Sequence, residues 1–390
     1  MAKEGKDDGG AGRRIRLGMV GGGEGAFIGA VHRIAARLDD HYTFVAGALA
    51  STPEKALSSG TALGLDQKRI YTSFTDMAAR ERRRKDGIDV VAIVTPNHMH
   101  APIAAAFLKA GIHVICDKPL TTTLKEARRL KALAERSGLV FCVTHNYTGY
   151  PLIRQARDLV QSGEIGEIRV VQVEYPQDWL TEPLERTGQK QADWRTDPAR
   201  SGAGGCVGDI GTHAYNLADF VTGLALTEIC ADLTTFVEGR ALDDNVQIML
   251  RYANGARGAL WASQVAPGNE NGLQLRVYGT KGGIVWRQQN PNALFHTPFG
   301  KPTQILTRGG AGANAAAGRV TRIPSGHPEG YLEAFATIYS EVAAAIRAGR
   351  DGTRLDPAVT FPTIDDGVKG VAFIEAAVKS SAKGGAWTKL

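Results

Sequence analysis

The chain has 390 residues, 43% of them hydrophobic and 22% charged, with a net charge of +6. That length suggests two domains, or one large one with insertions, and a core that needs neither disulfides nor metal. The mild charge is interleaved with acids, which argues against nucleic-acid binding, and no apolar run approaches the ~18 residues of a membrane span.

Residues 1–13 are polar and glycine-rich and read as a disordered tail. Arg13-Arg14 could open an export signal, but cleavage after it would destroy the glycine turn that follows, so a cytoplasmic location is expected. Ile15 to Val20 reads as a strand. Gly21, Gly23 and Ala26 then fit G-x-G-x-x-A, and a helical pattern follows from Ile28. Such a turn lets a pyrophosphate approach the backbone at a helix N-terminus. Gly25, Phe27 and Ile28 join Gly21, Gly23 and Ala26 as expected cofactor contacts. The second strand, Thr43 to Ala48, lacks the terminal acid that would bind the adenosine ribose of NAD. Ser51 and Thr52, with Lys55 nearby, could take a 2′-phosphate, although Glu54 works against it. The cofactor is NAD or NADP, with a slight tilt to NADP.

Arg80 to Lys85 is a dense basic run that reads as a solvated helix end. The apolar run Ile88 to Val94 ends in Thr95, Asn97 and His100. A helix over 101–110 follows, then a strand from Ile112 that ends in Asp117-Lys118-Pro119. A helix over Leu124 to Ser137 and a strand over Val140 to Thr144 complete the series, ending in His145, Asn146 and Tyr147. The alternation implies a parallel, doubly wound sheet whose polar strand ends converge on one edge. Thr95, Asn97, His100, Asp117, Lys118 and Asn146 are therefore expected at the cofactor. Lys118 taken alone reads equally well as a solvated turn residue. The four cysteines have no CxxC spacing and are expected to be reduced and mostly buried.

After Pro151 the pattern changes: a helix over 152–162, a strand over 168–175, and a long polar stretch to Gly205. Asp209 and His213 stand at i and i+4 where a helix begins, so a carboxylate could orient an imidazole. A capping Asp and a satisfied core His is the blander reading. Alternation over 246–252, the turn Asn254-Gly255 and strands over 257–265, 273–278 and 283–286 give a largely antiparallel sheet, free to pack on helices or on another subunit. Residues 303–324 are long enough to be a lid or a disordered loop. His327 precedes a helix that runs to about Ala348, and a last helix spans 365–381. The expected fold is an α/β N-terminal Rossmann domain (14–150) with an α+β C-terminal domain (151–390) around a large, mostly antiparallel open sheet. The last helix is free to pack back on the first domain.

Val20-Gly21-Gly22-Gly23, Thr95-Pro96-Asn97-His98-Met99-His100, Asp117-Lys118-Pro119 and Gly208-Asp209-Ile210-Gly211-Thr212-His213, in that order, resemble the Gfo/Idh/MocA oxidoreductases over essentially the whole chain after residue 14. That family writes the third piece Glu-Lys-Pro, so Asp117 shortens the acid. The resemblance implies a sugar or cyclitol dehydrogenase with Lys118, Asp209 and His213 as its catalytic residues. In that reading His213 is the general base, Lys118 steadies the alkoxide and Asp209 orients the ligand or the histidine. It also brings Trp194 and Arg195 to the nicotinamide end. Lys118, Tyr147, Tyr150, Asp178, Trp179, Asp209, His213 and His327 are its candidate substrate residues. Tyr175 to Trp179 is similar to levoglucosan dehydrogenase-type members, which favours a sugar, anhydrosugar, glycoside or cyclitol. A homodimer or homotetramer through the C-terminal sheet is expected. Competing readings are an oxidoreductase that retains its cofactor, a redox-assisted glycosidase, and a non-catalytic sensor, which would be expected to lose the Lys, Asp and His.

Overall fold

The structure is a computed structural model that describes residues 12–390; positions 1–11 of the expected tail lie outside the described residues. Arg13, also assigned to that tail, instead forms a two-pronged ion pair with Asp89, at 2.8 and 2.9 Å. The parallel sheet contains β1 (Ile15–Gly21), β2 (Tyr42–Ala48), β3 (Val90–Val94), β4 (His113–Cys116) and β5 (Phe141–Val143), in the order β2-β1-β3-β4-β5. Every residue of β3 is buried, which is why its sequence is continuously apolar rather than alternating. The connecting helices are α1 (Phe27–Leu38), α2 (Pro53–Ala62), α3 (Phe74–Glu81), α4 (His100–Lys109) and α5 (Leu124–Ser137). The last has the boundaries its sequence dictates: the Thr123 hydroxyl caps the N–H of Glu126, and Gly138 at φ 64° ends it in the left-handed region.

The chain continues through α6 (Pro151–Gln161), β6 (Ile168–Pro176) and the short helices α7 (Lys190–Arg195) and α8 (Pro198–Ser201). Next come α9 (Thr212–Thr222), β7 (Leu226–Thr234), β8 (Asn245–Tyr252), β9 (Arg257–Ser263), β10 (Gln274–Gly279) and β11 (Gly282–Arg287). Then follow β12 (Ala293–Pro298), β13 (Gln304–Thr307), α10 (Ala315–Gly318), α11 (Tyr331–Asp351), α12 (Ile364–Ser381) and β14 (Thr388–Lys389). Strands β6 to β14 form a nine-stranded sheet, β13-β12-β11-β10-β6-β9-β8-β7-β14. Its pairs are antiparallel except β6 with β9, which run parallel. One face packs on α6, α9 and α12; Val246, Ile248 and Leu250 alternate onto it. The other face shows Val170, Met249, Tyr278 and Ile305 to solvent.

Two helices from the far end of the chain return to the parallel sheet. Phe335, Ile338, Tyr339 and Val342 of α11 share a buried cluster with Ile15 and Leu17 of β1 and Val31 of α1. Ile364 and Val371 of α12 join Leu120, Leu130 and Val143 on the opposite face. Residues 303–324 are ordered rather than a structureless loop. They supply edge strand β13 and α10, and the Gly312 carbonyl accepts a 2.6 Å hydrogen bond from Gln155. The four cysteines are unpaired, with Cys116, Cys142 and Cys206 buried.

Candidate active site

A cleft of about 1500 Å³ runs along the carboxyl ends of the parallel strands and continues over the second sheet. At one end it is lined by the glycine turn. Gly21 sits at φ 80°, and a Cβ on Gly23 would stand 2.6 Å from the Leu49 carbonyl and 2.7 Å from Ser59 Oγ. α1 begins without a side-chain cap and without an acid in its first turn. The backbone is thus pressed close to β2, leaving an open helix N-terminus suited to a pyrophosphate. Gly25, Ala26, Phe27, Ile28, Ser51, Lys55 and Ser59 line the same end. Thr52 does not: its hydroxyl caps α2 by accepting from the Lys55 N–H.

At the middle of the cleft Lys118, at the end of β4, meets Asp209 from the second half. Lys118 Nζ lies 2.8 Å from Asp209 Oδ1 and also donates to the Asp209 carbonyl. Asp209 Oδ2 accepts from Gln264 Nε2 at 2.9 Å and lies 3.3 Å from Arg195 Nε, which is off the hydrogen-bond axis. Burial opposes ionisation here, but Lys118 and Arg195 hold the Asp209 carboxyl well below the usual carboxylate range. The helix expected near Asp209 starts as a π-turn, Val207–Gly211, whose approach is fixed by Asp243 accepting from the N–H groups of Gly205 and Val207.

His213 lies one turn on and also lines the cleft, but Asp209 is spent on Lys118, Gln264 and Arg195. The anticipated Asp–His hydrogen bond is not made, and His213 Nδ1 has no partner among the described residues. Its ring sits edge-on to Tyr147 at 5.0 Å and to His145 at 5.6 Å. Burial, then Lys118 and His145, push its pKa well below the ordinary value, so the imidazole is neutral at ordinary pH.

Asp117 reaches the cleft from beside Lys118. Its Oδ1 accepts from Thr144 Oγ1 at 2.6 Å and faces His32 Nε2 at 3.0 Å; His32 Nδ1 lies 2.8 Å from the Tyr339 hydroxyl. Thr95, Asn97, Asn146, Trp194 and Arg195 line the cleft as expected. Thr95 Oγ1 and Asn146 Nδ2 are buried without partners, the pattern of groups awaiting a ligand.

Four other expected residues stand away from the cleft. His100 is buried between the Pro119 and Thr95 carbonyls, at 2.9 and 2.8 Å, and braces the ends of β3 and β4. Tyr150 lies behind the wall, where its hydroxyl accepts from Gln288. Asp178 turns away to the Gly268 N–H, while its neighbours Gln177 and Trp179 face the cleft. His327 is exposed in the loop before α11, where its carbonyl accepts from Arg308. The sequence reading missed Tyr175, Gln177, Asn271 and Gln288, which line the far wall together. Their side-chain types are unremarkable, and only the pairing of β6, β10 and β11 brings them side by side.

Residues 15–145 match the family described as an oxidoreductase family with an NAD-binding Rossmann fold, and residues 153–285 match the GFO/IDH/MocA C-terminal domain. The chain belongs to the GFO/IDH/MocA oxidoreductase family. Among solved structures, an oxidoreductase from Sinorhizobium meliloti is 59% identical, with TM-score 0.89, covering 97% of this chain and 100% of that one. An inositol dehydrogenase homolog from Azotobacter vinelandii, complexed with NADH and myo-inositol, is 36% identical, with TM-score 0.92, covering 97% and 98%. Levoglucosan dehydrogenase of Pseudarthrobacter phenanthrenivorans is 29% identical over 72% of this chain and 76% of its own length. This GFO/IDH/MocA chain is thus an enzyme, an oxidoreductase with an NAD-binding domain. Among the described residues no helix is long and apolar enough to cross a membrane, and no His, Cys, Asp and Glu cluster could hold a metal ion.

Proposed function

We propose that the chain is an NAD(P)-dependent dehydrogenase that oxidises a secondary ring hydroxyl of a neutral cyclitol or sugar. The observation that carries this reading is the meeting of Lys118, the ionised Asp209 and the unpaired, neutral His213 in one cleft with the glycine turn. A nicotinamide held along the glycine turn would supply the hydride acceptor for the substrate carbon. His213 takes the hydroxyl proton on a ring nitrogen as the C–O bond becomes C=O. Lys118 donates to that oxygen and steadies its developing negative charge, while Asp209 keeps Lys118 aimed. The myo-inositol bound by one named relative and the levoglucosan dehydrogenase name of the other support a polyhydroxylated ring.

At the adenosine end Ser51 and Lys55 line the cleft, and no acid of residues 48–55 does. This favours NADP binding at least as tight as NAD. The open face of the nine-stranded sheet, with Val170, Met249, Tyr278 and Ile305 exposed, supports self-association. The deciding experiment is a panel of inositols, anhydrosugars, aldoses and glycosides with NAD and with NADP, followed by reduced-nicotinamide absorbance. Turnover of neutral polyols is expected, and inactivity with all of them refutes the proposal.

A further inference from the structure

The wall of the cleft beside His213 is organised around one residue that no motif marks. Asn271 Oδ1 accepts from the Tyr175 hydroxyl and from Gln177 Nε2, both at 2.8 Å. Its Nδ2 donates to Gln288 Oε1 at 2.9 Å and, more weakly, to the Tyr147 hydroxyl at 3.4 Å. All five side chains line the cleft. Asn271 is thereby fully engaged with protein, which fixes the direction of every bond around it. Tyr175 gives its proton to Asn271, so in the Tyr147–Tyr175 contact Tyr147 is the donor and Tyr175 the acceptor. Gln177 keeps its carbonyl and one N–H free. Gln288 donates one N–H to the Tyr150 hydroxyl and keeps the other, with a lone pair on its carbonyl. What remains is an alternation of free donors and acceptors with no charged side chain among them. A hydroxyl, which donates and accepts at once, is complementary to such a wall; a carboxylate or phosphate, which only accepts, is not.

The geometry points to Asn271 as the positioning residue that fixes Gln177, Gln288, Tyr147 and Tyr175 to read the hydroxyls of a neutral polyol beside the one that His213 faces. This rests on the dehydrogenase reading and deepens it by naming the residue that selects an uncharged, hydroxylated ring. A site built to hydrogen-bond hydroxyls discriminates strongly against analogues that lack them, because its own buried groups are then left unpaired.

The test compares wild type with Asn271→Leu and the isosteric Asn271→Asp, which keeps the two accepted bonds and loses the donated ones. Myo-inositol, a monodeoxy-inositol series and an inositol monophosphate are assayed with NAD and NADP. The same polyols are titrated calorimetrically against the cofactor-loaded protein. Wild type is expected to bind myo-inositol, to discriminate against at least one deoxy analogue by roughly tenfold or more, and to reject the phosphate. Both variants are expected to raise KM by roughly tenfold or more, to keep kcat within about threefold, and to lose the deoxy discrimination. A structural defect would instead lower the melting temperature and weaken dinucleotide binding, both of which should stay near wild type. An unchanged KM, discrimination retained in both variants, loss of dinucleotide binding in both, or wild-type binding of the phosphate as tight as that of the neutral ring overturns the inference. If wild type binds polyols in calorimetry with this dependence on Asn271 but oxidises none, the dehydrogenase reading fails while the wall assignment stands.

Discussion

Replacing Lys118 by Met keeps the length of the stem and removes the ammonium. The Lys118 and Asp209 side chains are only 15% and 16% exposed, so solvent screens the pair weakly. Deleting one partner of a buried ion pair costs about 3–5 kcal/mol when the other is left uncompensated. Asp209 keeps Gln264 at 2.9 Å and Arg195 at 3.3 Å, which brings the expected loss to about 2–3 kcal/mol and the melting point down by several degrees. The pH dependence has a definite sign. The folded-state pKa of Asp209 is depressed, so its pairing stabilises the protein above the pKa of the unfolded chain and is lost as pH falls through the folded value. The melting difference between wild type and Lys118→Met should therefore shrink on going into acid. In the reaction, the lost donor to the alkoxide should lower kcat by about 10²–10³. The assays are initial rates with the best polyol, thermal melts from neutral pH downward, and quenching of protein fluorescence by the reduced dinucleotide. A kcat within about threefold of wild type refutes the assigned role. Loss of dinucleotide binding with kcat preserved at saturation would make Lys118 a cofactor anchor instead.

His213→Asn should lower kcat by about 10²–10⁴ with dinucleotide binding intact. Because burial and Lys118 hold its pKa well below the ordinary imidazole value, the wild-type kcat/KM should show no inflection near ~6.5 on its acid side; a limb centred there contradicts His213 as the base. Gly23→Ala places a methyl 2.6 Å from the Leu49 carbonyl, so dinucleotide affinity should fall by about tenfold or more while circular dichroism is unchanged, and an unaltered Kd rules out this turn as the pyrophosphate cradle. Arg240 is buried between Asp244 and Glu185, at 3.1 Å from each, so Arg240→Leu should cost about 3–5 kcal/mol in denaturant unfolding, and a loss under 1 kcal/mol would show the pair to be inert.

The parallel half was legible because its signals are local. β3 is a continuous apolar run, α5 carries its own cap and stop, and the glycine turn is contiguous. Lys118 was legible as an oddity, since a strand end has no packing use for an ammonium. Its partner Asp209, 91 residues away, was singled out by its spacing to His213, but its pairing with Lys118 was not expected. The spacing of Asp209 and His213 suggested a hydrogen bond that does not form, because helical spacing gives proximity but not the competition from Lys118 and Arg195 for the same carboxylate. The far wall was illegible for a different reason. Tyr175 and Gln177 come from the end of β6, Asn271 from the approach to β10 and Gln288 from the end of β11, so they meet only after the strand registers are set. His100 and His327 misled because a histidine in a polar cluster looks alike whether it faces a ligand, braces two carbonyls or stands in a loop.

The return of α11 to β1 and α1 has a practical meaning for anyone recombining these enzymes. A crossover placed after α5, where the sequence changes character, would graft a foreign α11 onto the native nucleotide half. It would then have to reproduce Phe335, Ile338 and Val342 against Ile15 and Leu17, and Tyr339 against His32, which touches the acid beside Lys118. The unit inherited with the cofactor is discontinuous along the chain, residues 15–145 together with α11 and the start of α12, whose Ile364 and Val371 fill the opposite face, and a chimera designed on that unit should exchange substrate preference without dismantling the nucleotide half.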